Sequence, residues 1–220
     1  MRFLKPLFGN PALARVVPFV IFLALTLCQG QFGPASVDWF YLAKTLVGAW
    51  LIWEMYPFVS EMRWNVSWEA LLVGILICVI WVALDPLYPH FFKSAGMGNP
   101  LAIFGNSPMA RFFIAVHILG MTFVVPPLEE VFYRSFCYRY LARQDFLAVP
   151  LNRFLPFPFF ATAIVFGMAH AEWLAGILCG MAYQWLVLRK NRLGDAMTAH
   201  AITNFLLGVW IVWRGAWNFW

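Results

Sequence analysis

The chain has 220 residues, of which 63% are hydrophobic and only 11% charged, against roughly a quarter charged in an ordinary soluble domain. That composition excludes a water-soluble globule, disorder and low complexity. The net charge of +5 comes from 15 Lys and Arg against 10 Asp and Glu. The basic residues are spread over loops rather than gathered with aromatics into a patch, so nucleic acid is excluded as a partner. The four cysteines stand singly in apolar segments and read as small core hydrophobes.

A spanning helix needs about 20 apolar residues, so a chain of this length holds roughly six to eight. The first is expected over Leu13–Gln29, kinked at Pro18, with a cleaved signal peptide as the rival reading. The second runs over Val37–Tyr56 and the third over Trp68–Leu84. Asp85–Pro100, rich in Pro and Gly, is an extramembrane loop. A fourth helix over Met109–Val125 is expected to stop at Pro126-Pro127, because the second proline disfavours a helical predecessor. A further helix follows over Leu128–Gln144. Beyond a Pro-rich turn, helix five spans Phe159–His170, helix six Leu174–Leu188 and helix seven Asp195–Trp213. Trp210, Trp213, Trp217 and Trp220 read as an interfacial anchor. The fold class is thus an all-α polytopic membrane protein of about seven transmembrane helices, some broken around an intramembrane polar pocket. Residues 1–220 read as a single membrane domain, with N-terminal helices that carry no motif over 1–108 and a helical core that carries the chemistry over 109–213.

A cytoplasmic N-terminus puts Arg2, Lys5, Arg15, Arg63, Arg134, Arg139, Arg143, Arg153, Arg189, Lys190 and Arg192 inside, and only Lys93, Arg111 and Arg214 outside. The positive-inside rule therefore favours the N-terminus in and the C-terminus out. The chain reads as a multi-pass protein of a bacterial plasma (inner) membrane.

Ionisable groups within membrane helices are functional-site candidates by default. Pro126-Pro127-Leu128-Glu129-Glu130-Val131-Phe132-Tyr133-Arg134 opens a helix with two adjacent acids. Glu130 and Arg134 stand at i,i+4 in the favourable order for an ion pair. Glu129 is turned by about 100° from Glu130 and lacks that partner, which suits a general base or acid; the bland alternative is that both acids complement a helix N-terminus. Phe166-Gly167-Met168-Ala169-His170 puts small residues beside an imidazole. In His200-Ala201-Ile202-Thr203-Asn204, imidazole and carboxamide point the same way, as two neutral donors aimed at a developing oxyanion. Each of these patterns alone also fits interhelical glue. Together they supply a base for water, an acid for a leaving amine and an oxyanion hole.

Glu-Glu-x-x-x-Arg, Phe-x-x-x-His and His-x-x-x-Asn, in that order and with Leu193-Gly194-Asp195 leading into the last, resemble the CPBP family of intramembrane proteases. That family includes type II CAAX prenyl endopeptidases and bacteriocin-processing or self-immunity proteins. The resemblance covers about Pro126–Asn204. It implies catalytic roles for Glu129 and His170 in activating water and for His200 and Asn204 in holding the oxyanion, with Glu130, Arg134 and Phe166 in support. The implied activity is endopeptidase cleavage of a membrane-anchored or lipid-modified protein or peptide, so the expected partners are that substrate and the bilayer. A non-catalytic scaffold or immunity protein of the same family is the alternative. Members are read both as metalloproteases and as glutamate proteases. Glu129, His170 and His200 would in principle make a zinc site with an open position, yet no His-Glu-x-x-His is present, and the expectation is chemistry without a metal or other cofactor. The short interval from His170 to His200 calls for a tight connection between helices five and six. Elsewhere, His117 reads as packing, His90 as solvated, Glu54 and Lys44 as a pair or as snorkelling side chains, and Glu172 as a cap.

Overall fold

A computed structural model describes residues 3–89 and 98–220; His90 lies outside them. The described residues form helices α1 (Lys5–Phe8), α2 (Pro11–Leu27), α3 (Ser36–Met55), α4 (Trp68–Leu84), α5 (Pro100–Phe104), α6 (Pro108–Phe123) and α7 (Val125–Glu130). A π-helical segment (Val131–Cys137) then leads through α8 (Tyr138–Tyr140) to α9 (Pro156–Met168), α10 (Trp173–Lys190) and α11 (Gly194–Arg214). No strand occurs among the described residues, and the chain is an all-α membrane protein. Among the described residues, Trp68–Leu87, Pro108–Tyr140 and Gly194–Arg214 are by length and composition the helical stretches able to cross a membrane, with Pro11–Leu27 and Pro156–Met168 as shorter apolar helices. α3 carries Asp38, Lys44 and Glu54, all three buried within the bundle.

Helix starts follow from local chemistry. The side chains of Asn10, Ser67 and Ser107 accept hydrogen bonds from first-turn amides of α2, α4 and α6, with Pro11 and Pro108 opening two of those helices. α10 ends on Asn191, which takes the left-handed conformation at φ 53°.

Several expectations are corrected. The fourth helix breaks at Val124, not at the prolines: Pro126 and Pro127 lie in the first turn of α7, where a proline's missing N–H has no intrahelical partner to lose. α9 starts at Pro156 for the same reason, and it ends at Met168, so His170 lies beyond the helix rather than in its last turn. Lys44 and Glu54 do not pair: Glu54 accepts from the backbone N–H groups of Phe3 and Leu4, while Lys44 donates to Thr26 and Gln29. Trp220 does not anchor at an interface. It is 5% exposed and its ring lies 3.9 Å from that of His117.

α11 is the central helix, packed on α4, α6, α7 and α10. The connection from α9 to α10 spans only residues 169–172, and glycine makes the two helices touch. A Cβ on Gly167 would come within 2.6 Å of the Ile177 backbone nitrogen and of the Trp173 carbonyl. α9 therefore lies directly on α10, which fixes where the chain can place His170 at its end.

Candidate active site

Glu130 is the buried centre of the site. It is fully buried, with Oε2 3.1 Å from Arg134 Nε and Oε1 accepting from His200 Nδ1 at 2.9 Å. The i,i+4 pair expected from spacing is present, and the imidazole is a second partner from α11. The Arg134 guanidinium lies 4.4 Å from the centroid of the Phe166 ring, with Tyr133 and Tyr183 at 5.6 and 5.8 Å. Three aromatic faces thus surround a cation taken out of water, the environment that cation–π attraction favours most.

Phe166 links the two histidines. Its carbonyl accepts from His170 Nδ1 at 2.8 Å, and its ring centroid is 4.9 Å from His170 and 6.1 Å from His200. Both imidazoles spend Nδ1–H on an acceptor, which leaves Nε2 of each for the cavity. His200 is consequently not the neutral donor expected from spacing: with Nδ1–H committed to Glu130, donation from Nε2 requires the imidazolium, whose charge Glu130 offsets. Asn204 gives one amide N–H to the Met121 carbonyl at 2.7 Å and keeps a second.

Two adjoining cavities divide these groups. One, of about 150 Å³, is lined by His170, His200, Asn204, Tyr183, Thr203 and Trp81. The other, of about 260 Å³, is lined by Glu129, His170, Asn204, Tyr41, Lys44 and His117. His170 and Asn204 line both. Glu129 is half-buried, and its Oε2 is buried with no hydrogen-bond partner. Glu172 stands at the start of α10 without a side-chain cap and lines the smaller cavity. His117 is stacked between Tyr41, 3.6 Å away, and Trp220.

Sequence reasoning missed Tyr183 and Thr203. The Tyr183 hydroxyl donates to Thr203 at 2.7 Å, and its ring stacks on His200 at 5.2 Å. A tyrosine in the middle of an apolar helix was the available signal. It also missed the bracing of the π segment. Ser135 donates to Glu61, which also accepts from Arg15 at 2.8 Å and from Arg139 at 2.6 Å. Burial alone would raise the Glu61 carboxyl, but the Arg15 charge and the hydrogen bonds from Ser135 and Arg15 outweigh it and hold the group at about 2.

Among the described residues, no three His, Cys, Asp or Glu side chains converge as a metal-ligand set. What the arrangement does offer is a carboxylate, two imidazole Nε2 atoms and an amide N–H around a polar space inside a helical membrane protein. That is the side-chain complement of a membrane-embedded hydrolase. Residues 111–206 match the family of type II CAAX prenyl endopeptidase Rce1-like proteins, so this segment is similar to that family. That family is one of CAAX-type proteases, and the match supports a peptidase kind of function for this segment. No curated protein and no solved structure matches the chain.

Proposed function

We propose that the protein is an intramembrane endopeptidase that hydrolyses a peptide bond in a membrane-anchored or lipid-modified protein or peptide through a water activated by Glu129 and His170. The observation that carries this reading is that His170 and Asn204 border both the cavity of Glu129 and that of His200. Water between them meets a proton acceptor on one side and oxyanion donors on the other.

In this reading the Glu129 carboxylate takes a proton from water while His170 Nε2 orients it, and the hydroxide oxygen attacks the carbonyl carbon. The carbonyl electron pair moves to oxygen, where His200 Nε2–H and the second amide N–H of Asn204 hold it. Removing one such donor costs roughly 10²–10³ in rate. As the C–N bond breaks, the nitrogen takes the proton from Glu129. The products are a new carboxyl terminus and a new amine. No metal enters these steps.

The setting we propose is a bacterial plasma membrane with the N-terminus in the cytoplasm. Single-cysteine labelling at positions 148 and 191, in a Cys-free background, should then occur only from the inner side; labelling from outside overturns the orientation. The activity is tested by comparing the peptides released from membranes that hold the wild-type chain and its Glu129→Gln variant. Peptides present with the first and missing with the second are expected. Identical pools would overturn the catalytic reading and leave a non-catalytic scaffold of the same family.

A further inference from the structure

The chemistry above leaves a buried charge in the cavity of Glu129 unused. Lys44, in the middle of α3, is 4% exposed and lines the same cavity as Glu129. Its Nζ donates to Thr26 Oγ1 at 3.2 Å and Gln29 Oε1 at 3.0 Å, and lies 4.3 and 4.9 Å from the ring centroids of Tyr41 and Phe22. All four partners are neutral. The other acids of α3 stand near its ends, and Glu54 is occupied by the backbone of Phe3 and Leu4. An ammonium taken out of water without an anion is costly. In the same cavity, Glu129 Oε2 is a buried carboxylate oxygen with no hydrogen-bond partner. Each group has what the other lacks, and a cavity of about 260 Å³ leaves room for water between them.

The remaining groups that face this cavity do not compete for the role. Tyr41 of α3, His117 of α6, Tyr133 of the π segment and His170 are its other titratable side chains, and Asn204 of α11 and Thr26 of α2 are neutral. Arg134 is spent on Glu130. We infer that Lys44 is the counter-charge of Glu129, a positioning residue that draws the carboxylate toward the cavity and offsets its charge there. The site would then include a helix outside the segment 111–206 that matches the family. This inference rests on the proposal that Glu129 takes the proton from water.

The full-length protein in detergent micelles supplies a test that needs no substrate. Lys44 keeps Thr26 and Gln29 when Glu129 is replaced, whereas Glu129 loses its counter-charge when Lys44 is replaced. Lys44→Met is therefore expected to lower Tm by roughly 3 °C or more in the wild-type background and by less than about 1 °C in the Glu129→Gln background. Equal losses in both backgrounds would overturn the pairing. Lys44→Gln, which can still hydrogen-bond to Thr26 and Gln29, is read in the same way if the Met variant does not accumulate. The positioning role is tested on the peptides whose release depends on Glu129. Lys44→Met should reduce them at least about tenfold, and Lys44→Arg should restore most of the release. Wild-type release from Lys44→Met overturns the inference. Wild-type release from Glu129→Gln overturns instead the catalytic reading on which it rests, and the thermal cycle still decides whether the two charges are paired.

Discussion

Glu130 Oε1 accepts from His200 Nδ1 at 2.9 Å, which ties the second acid of the Glu-Glu pair to an imidazole 70 residues later in the chain. This contact separates the roles of two adjacent carboxylates of identical chemistry. Glu130 is ion-paired with Arg134, hydrogen-bonded by His200 and fully buried, while Glu129 opens onto a cavity.

Glu130→Gln should therefore act first on stability. It leaves the Arg134 guanidinium buried among aromatic rings with no anion, a loss of about 3–5 kcal/mol. Glu129→Gln keeps size and hydrogen bonding at a half-buried position and should cost less than about 1 kcal/mol, yet abolish peptide release. Thermal unfolding of both variants beside their released peptides checks the contrast. A stable, inactive Glu130→Gln together with an active Glu129→Gln would move the base by one residue.

The Glu61 cluster should make stability depend on acid. Its carboxyl lies at about 2 in the folded protein against an ordinary 4.5. A lowered folded value means that the stabilisation is fully present above pH 4.5 and is lost as pH falls toward 2. Its size is about 3 kcal/mol. Unfolding midpoints measured across that window should fall steeply for the wild type, and Glu61→Gln should be less stable at neutral pH and flatter below it.

How much of this was legible in the sequence depends on the distance along the chain over which each contact acts. The facing of Glu129 and Glu130 and the ion pair to Arg134 follow from helical geometry within one turn. The bounds of the Trp68–Leu84 helix are local, because Ser67 caps it and Asp85-Pro86 ends it. The contact of Glu130 with His200 has no local signal, and neither does the meeting of Lys44 with the cavity of Glu129. The sequence alone places His170 in a helix because nothing in Met168-Ala169-His170 resembles a stop. The seven-residue π segment is invisible to any pattern of period 3.6.

Gly167→Ala should impair catalysis more than its single methyl group suggests. The new Cβ would stand 2.6 Å from backbone atoms of α10, so the two helices must separate at the turn that carries His170. The expected cost is about 1–3 kcal/mol of stability with a marked loss of peptide release. Retention of full release in a destabilised variant would show that the position of His170 tolerates the shift.

Peptide release should persist in the presence of a strong chelator, because the proposed steps give the proton to Glu129 and the oxyanion charge to His200 and Asn204. Loss of release on chelation, and its return on adding zinc to the protein, would replace that mechanism with a metal-dependent one.

The π segment acts as a phase shift within one long helix. Each residue of an α-helix advances the facing direction by about 100°, so the wider winding over Val131–Cys137 changes the direction in which everything beyond it points relative to Glu129 and Glu130. Upstream, the side chains reach the pocket; downstream, Arg139 meets Glu61. In an alignment of related chains, a single-residue gap in this stretch would therefore be no neutral length change. It would turn the two ends of the helix against each other, and one of the two charged clusters would have to be rebuilt from different residues.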